Sequence, residues 1–375
     1  MSAALVSGHP ARVRLTSAKR VVVKIGSALL RSRDHDPFAH FAAEVISLRR
    51  QGKTVVVVSS GAIALGYPSL KLATRPTELA ALQASAAAGQ SKLMAHWAQA
   101  FGWFDVDVAQ ILLTHADLQD RRRYNNAKGA LAVLLERGLI PIVNENDTVS
   151  VDEIKLGDND TLAAAVSGLI DADAVVLLTS AAGLFTADPS LDATARRIDV
   201  VDDLTPEVRA YATGAAALGT GGMITKLDAA AIARRHGAQT VIARGLQRGI
   251  LREVFDGHDV GTVISATASD RDTAKRRWIG SLKSRGSIVV DDGAVAALLK
   301  NSSLLFAGVV AVEGDFAAWE VVTVKDRAGK VFARGLCAVS AETARLVMGK
   351  KTAEAQAVVV DLPDELLHRD DLVLD

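Results

Sequence analysis

Val143 to Thr161 reads VNENDTVSVDEIKLGDNDT, which gathers Glu145, Asp147, Asp152, Glu153, Asp158 and Asp160 with the amides of Asn144, Asn146 and Asn159. An apolar run, Leu139-Ile140-Pro141-Ile142-Val143, precedes it and has the character of a buried strand. Leu162 to Val166 follows and has the character of a buried helix. Open α/β sheets bind ligands at such a strand exit, where polar groups stand ahead of a helix N-terminus. The same letters also suit a solvated acidic loop whose Asp and Asn residues cap and turn the chain. The segments on either side have to decide between the two.

Upstream, Arg20-Val21-Val22-Val23-Lys24-Ile25 is a β-branched run ended by Gly26-Ser27, so a strand feeding a loop. Asp36-Pro37 supplies an N-cap and a first-turn proline for a helix to about Gln51, stopped by Gly52. Lys53 to Ser59 predicts a second apolar strand. Thr77 to Phe101 predicts an Ala-rich helix with Gly89 as a weak point. Strands at Val106–Thr114 and Leu139–Val143 flank a helix at Asn126–Arg137. Downstream, the spacing predicts a helix over Asp160–Ile170, a strand over Ala174–Thr179, a helix over Met223–His236 and a strand over Thr240–Ala243. Continuous apolar strands alternating with helices imply an α/β fold with a mostly parallel sheet covered on both faces.

The texture changes near Ser265. Residues 266–281 are polar and lack an apolar period, as a linker would. Beyond them short strands dominate, at Ser287–Val290, Val309–Val312, Glu320–Lys325, Val331–Val339 and Ala357–Val360, with helical pieces at Gly293–Lys300 and Ala341–Met348. The expected organisation is a flexible leader over 1–18, a catalytic domain over 19–265, the linker, and a small mainly β domain over 282–375.

The 375 residues carry 43 basic and 43 acidic side chains, so no bulk attraction to nucleic acid or anionic membrane is implied. Cys337 is the single cysteine, which excludes an internal disulfide and is compatible with a reducing cytosol. No apolar run approaches the roughly 20 residues of a membrane span, and the start has no apolar core of signal-peptide length. The eight histidines show no transition-metal spacing. Asp158-Asn159-Asp160 begins like a calcium loop but lacks its glycine and terminal glutamate. Arg121-Arg122-Arg123 is too short a run, and too spread around a helix, to argue for nucleic acid over a solvated face or subunit contact.

Four further segments could carry chemistry, each with an ordinary alternative. Lys24 closes the first strand beside Gly26, a compact cation next to approachable backbone N–H groups, or a common strand-end lysine. Ser59-Ser60-Gly61-Ala62 opens a helix, where free N–H groups suit an anion and a capping serine is the plain reading. Thr179-Ser180 ends a buried strand and could flank a nucleotide, while Asp188-Pro189 reads as a turn. Gly219-Thr220-Gly221-Gly222-Met223-Ile224-Thr225-Lys226 is neither a Walker A loop nor a GxGxxG fingerprint. It leads into a helix with a lysine in the first turn, which the helix dipole disfavours unless an anion sits there.

Taken in order, Lys24-Ile25-Gly26, Ser60-Gly61-Ala62, NEND at 144–147, GDND at 157–160, Gly183 to Pro189 and the loop 219–226 resemble the amino acid kinase family. The resemblance runs from about Arg20 to Ser265 and continues into a tail similar to a PUA domain. The strings NEND, IKxGDND and GTGGMxTK point, within the family, to members acting on L-glutamate. The resemblance implies a three-layer α/β/α fold and ATP- and Mg²⁺-dependent phosphorylation of the glutamate side-chain carboxylate, the first step of proline synthesis. It implies catalytic Lys24, Lys226 and Asp160, with Asp160 orienting the lysines. It implies glutamate held by Ser60, Asp147 and Asn159, an aspartate suiting the α-ammonium group. Nucleotide contacts would come from Lys24, Thr179, Ser180, Thr220, Gly221, Gly222, Met223, Ile224, Thr225 and Lys226. A cytoplasmic homo-oligomer, dimer or tetramer, with proline as feedback inhibitor is implied as well.

Two positions depart from the family pattern. Ser180 stands where an aspartate is common, and Gly26-Ser27-Ala28 stands where Gly-Thr-Ser is frequent, which leaves one hydroxyl beside the phosphates. Related kinases acting on aspartate or N-acetylglutamate are the alternatives, and a protein that binds RNA or senses amino acids is a third. From Leu282 onward the tail has 11 basic against 14 acidic residues. RNA binding normally shows a basic patch, so stability, assembly or regulation is the expected role.

Overall fold

The computed structural model describes residues 8–31, 36–149, 159–213, 222–266, 284–360 and 362–374. The chain divides into two compact units, Met1–Arg271 and Asp272–Asp375. The expected linker lies outside the described residues beyond Ala266, as do 150–158 and the glycine-rich residues Gly219, Thr220 and Gly221.

In the first unit the strands are β1 Arg20–Ile25, β2 Thr54–Ser59, β3 Val108–Leu113, β4 Ile140–Glu145, β5 Ala174–Thr179, β6 Val200–Val201, β7 Gln239–Arg244 and β8 Thr262–Ile264. Among the described residues they form one sheet in the order β3-β4-β2-β1-β5-β7-β8-β6. Every pairing is parallel except β7 with β8. The helices are α1 Pro10–Thr16, α2 Pro37–Arg50, α3 Ala62–Gly66, α4 Leu79–Gly102, α5 His115–Gln119, α6 Arg121–Glu136, α7 Asn159–Leu169, α8 Pro206–Thr213, α9 Met223–Arg235 and α10 Ile250–Phe255.

Strand side chains alternate between faces, and the apolar runs feed two cores accordingly. Val21, Val23, Val55, Val57 and Ile142 pack with α2, α4 and α10. Val22, Val56, Val58, Val175 and Leu177 pack on the other face with α7 and α9. Lys24 shares its face with Val22, so the strand aims it toward α7 and α9.

Three expectations for this unit need correcting. Residues 10–16 are not a loose leader: α1 buries Leu15 at 0% and Arg12 at 1% exposure. The Arg12 guanidinium donates to the carbonyls of His258, Val260, Asp199 and Gly261 and meets Asp259 at 3.0 Å. Fixed carbonyls satisfy that buried cation, and a short polar stretch gives no sign of them. Gly89 is no weak point either. A Cβ there would meet the Ala62 carbonyl oxygen at 1.8 Å, and one on Gly66 the Ser85 oxygen at 1.8 Å. The two glycines let α3 and α4 touch backbone to backbone. Lastly, α6 begins at Arg121 rather than Asn126, because Asp120 accepts from Arg123 N at 2.9 Å and caps it.

In the second unit β9 Gly286–Val290, β10 Val309–Gly314, β11 Val321–Lys325, β12 Val331–Leu336 and β13 Leu372–Leu374 form a sheet in the order β10-β9-β11-β12-β13. The strand expected at Ala357–Val360 is instead the end of a helix, Thr352–Val358. Glu354 accepts from Lys351 N at its first turn, and Ala355 is fully buried beneath it. Alanines at 353, 355 and 357 favour that helix over the β-branched residues that follow.

Candidate active site

Parallel strands deliver their C-terminal ends to one edge of the sheet, where β1, β2, β4 and β5 bring Lys24, Ser59, Glu145 and Thr179. The N-termini of α7 and α9 face the same edge, contributing Asp160 and Lys226 from their first turns. Lys24 Nζ lies 2.6 Å from Asp160 Oδ1, and Lys226 Nζ lies 3.1 Å from Asp160 Oδ2. Thr225 Oγ1 donates to the Gly222 carbonyl at 2.8 Å and stands 3.5 Å from Asp160 Oδ2.

All three charged side chains are buried, Lys24 at 8%, Lys226 at 6% and Asp160 at 1% exposure. Burial by itself would push the Asp160 carboxyl up, but the two ammonium groups outweigh it and hold the group below the ordinary carboxylate range. The α7 N-terminus favours the same ionised form. The trio carries one more positive than negative charge. A buried excess of that kind suits an anion arriving from outside. Lysine in the first turn of α9 goes against the helix dipole, and Asp160 is the anion that makes it tolerable.

A second cluster adjoins the first through the chain link between residues 159 and 160. Asn159 Nδ2 donates to Ser60 Oγ at 2.8 Å, to Asn144 Oδ1 at 3.1 Å and to the Ser59 carbonyl at 3.3 Å. The N-cap of α3 is Gly61 at φ 110°, with no side-chain cap. Ser60 is therefore free of the capping role and is engaged with Asn159 instead. Asn144 and Gln90 complete the cluster, Asn144 Nδ2 donating to Gln90 Oε1 at 2.9 Å. Sequence reading passed over both, although Asn144 lies inside the segment singled out first. Gln90 gave no signal, being one polar residue in an Ala-rich helix.

Asp147 follows β4 by two residues and forms no hydrogen bond among the described residues. Desolvation raises its pKa to about 6, with Arg75 pulling the other way. Thr179 is half-buried and Ser180 exposed at the end of β5. Gly222 is the exposed N-cap of α9, while Met223 and Ile224 lean on the core beside Thr225. Asp188-Pro189 is a turn, Asp188 Oδ1 accepting from Ser190 N at 2.8 Å. Among the described residues no three His, Cys, Asp or Glu side chains converge as a metal cage, and no helix is long and apolar enough to cross a membrane.

Comparison with known proteins identifies the family. The model of the amino acid kinase family matches residues 19–244, and that of the PUA domain matches residues 286–359. A protein of Myxococcus xanthus named glutamate 5-kinase is 48% identical over 97% of this chain and 98% of its own length. One of Cupriavidus taiwanensis with the same name is 46% identical over 96% of this chain and 99% of its own.

Proposed function

The chain belongs to the amino acid kinase family, and on that premise we propose that it transfers the γ-phosphoryl group of ATP to the side-chain carboxylate of L-glutamate. The product is L-glutamyl 5-phosphate, the first intermediate of proline synthesis. The name carried by relatives of nearly equal length supports the substrate. The observation that carries the reading is the pair of buried ammonium groups gripping one carboxylate.

A glutamate side chain with a pKa near 4.3 is already ionised at neutral pH. The nucleophile needs no general base, and none is called for in the site. The barrier lies in bringing an anion against a polyanion, so catalysis rests on cations and N–H donors aimed at the transferred group. Lys24 and Lys226 supply the charge, from opposite sides of Asp160. Asp160 orients both ammonium groups and accepts no proton. ATP use follows from the family, with its phosphates against Lys24, Lys226 and the α9 N-terminus, where Gly222, Met223, Ile224 and Thr225 offer backbone N–H groups. Thr179 and Ser180 would flank the nucleoside. Mg²⁺ would accompany ATP and would neutralise charge on its phosphates as the phosphoryl group moves.

Glutamate would sit against Ser60 and Asn159, with Asp147 taking the α-ammonium group. An acidic group there weighs against N-acetylglutamate. An ATP-dependent hydroxylamine-trapping assay run with glutamate, aspartate and N-acetylglutamate tests the choice. Hydroxamate from glutamate alone is expected; hydroxamate from aspartate and none from glutamate sinks the reading.

Family membership also supports a cytoplasmic homo-oligomer, dimer or tetramer, inhibited by proline. Activity against added proline and sedimentation of the full chain test these points. The PUA unit, with its acidic excess, serves stability, assembly or regulation in this reading rather than RNA binding.

A further inference from the structure

Asn159 uses only one of its two amide atoms. Its Nδ2 reaches the Ser59 carbonyl, Ser60 and Asn144. Its Oδ1 is buried and has no hydrogen-bond partner among the described residues, although the side chain as a whole is only 8% exposed. A buried acceptor left unpaired destabilises the fold that holds it. In a cluster otherwise satisfied, it points to a donor that arrives with a ligand.

An asparagine amide can turn over and exchange its nitrogen and oxygen. Here the turn is blocked. The Ser59 carbonyl only accepts, so Nδ2 has to face it. Asn144 must then present Oδ1 to Asn159, which sends its own Nδ2 to Gln90 Oε1 at 2.9 Å. Gln90 in turn donates Nε2 to Gln110 Oε1 at 3.3 Å on the edge strand β3. All three amides donate in one direction, from the site outward, and each fixes the orientation of the one before it.

We propose that Gln90, acting through Asn144, is a positioning residue that locks the Asn159 amide with its oxygen toward the substrate, so that the site selects glutamate by its protonated α-amino group. The proposal rests on the glutamate reading above. At neutral pH the α-ammonium is the single donor group of L-glutamate, because both carboxylates only accept. An oxygen at this point takes the ammonium and repels a carboxylate. It also leaves an analogue without the amine, such as glutarate, facing an unpaired acceptor. Asn159 thereby joins Asp147 in reading the amine, and not the carboxylates that amide donors would suit.

The test uses the full chain with saturating ATP, and L-glutamate and glutarate in parallel, glutarate being read as substrate or as competitive inhibitor. Gln90→Met keeps the length of the side chain and removes both hydrogen bonds of the amide, the one accepted from Asn144 and the one donated to Gln110. Gln90→Glu still offers Asn144 an acceptor. The expected result for Gln90→Met is a KM for glutamate raised about tenfold, the scale of one hydrogen bond to a charged group, with kcat and the KM for ATP nearly unchanged. Its preference for glutamate over glutarate falls by a similar factor, while Gln90→Glu stays close to the native preference. Gln90→Lys offers Asn144 only donors; it gives the same loss and replaces the methionine variant if that one does not fold. An unchanged preference in Gln90→Met, equal losses on both substrates, or a Gln90→Glu no better than Gln90→Met overturns the proposal. Native protein that makes no hydroxamate from L-glutamate overturns the glutamate reading itself, and this is seen before any variant is compared.

Discussion

Lys226 and Asp160 meet 3.1 Å apart, each in the first turn of its own helix, and the second oxygen of Asp160 holds Lys24 at 2.6 Å. One carboxylate thus sets the spacing of two cations that come from opposite ends of the catalytic unit. The consequences for catalysis and for stability are separable.

Lys226→Ala removes a cation used mainly as charge moves between the phosphates and the acceptor. It is expected to lower kcat by about 10²–10³, the range seen when one transition-state donor is lost, with little change in glutamate binding. Steady-state kinetics check this, and near-normal kcat takes Lys226 out of the mechanism.

Asp160→Asn leaves two buried ammonium groups facing each other without their counter-ion. Breaking a buried pair in this way costs about 3–5 kcal/mol, which denaturant unfolding at neutral pH would register. The native carboxyl is held low in the folded state, so its contribution is complete above the unfolded pKa of about 3.9. It is lost as pH falls through the lower folded value. The stability gap between native and variant protein should therefore narrow below about pH 4; a gap that stays constant into acid contradicts the assignment.

Asp147 titrates the other way, its pKa raised by desolvation to about 6. As the receiver of an ammonium group it must be ionised, so kcat/KM for glutamate is expected to fall as pH drops through about 6. The Asp147→Asn variant, weak throughout, loses that limb. The raised pKa means that ionising Asp147 costs stability as pH rises through the folded value. Asp147→Asn should accordingly melt higher than native protein at pH about 8, with the two converging near the unfolded pKa of about 3.9.

Gly89→Ala swaps a poor helix former for a good one, worth about 1 kcal/mol in an exposed helix. At this position the new methyl meets the Ala62 carbonyl oxygen, with 1.8 Å between them, and neither backbone can yield cheaply. A lower melting temperature is expected, together with a higher KM for glutamate, because α3 begins two residues after Ser60. A variant as stable as the native protein, or more so, would show that the helices separate at little cost.

Much of the catalytic unit was legible because its signals are local. The strands β1 and β2 carry unbroken apolar runs, Val21–Val23 and Val55–Val58, and sheets covered on both faces require such runs. The Asp36-Pro37 cap announces α2, and Gly222 marks the start of α9. The helix at Thr352–Val358 was missed because alanines and valines compete within a few residues, and packing of Ala355 settled the contest. Gln90 was missed for another reason. Its meaning lies in Asn144, 54 positions away, and an amide carries no mark of the partner it will find.

The opening segment shows where the division falls. Its letters determined a strand, a polar exit and a helix start, since period, β-branching and the polarity of Asn and Asp act within a few residues. Tertiary structure decided that Asp160 would be buried between Lys24 and Lys226, and that Asn159 would be pinned by the Ser59 carbonyl with its oxygen unpaired. Those facts depend on which strand ends the parallel sheet brings to one edge and on which face each side chain leaves its strand. Charge and hydrogen-bond direction act through space between residues far apart in the chain, so the order of residues alone does not express them.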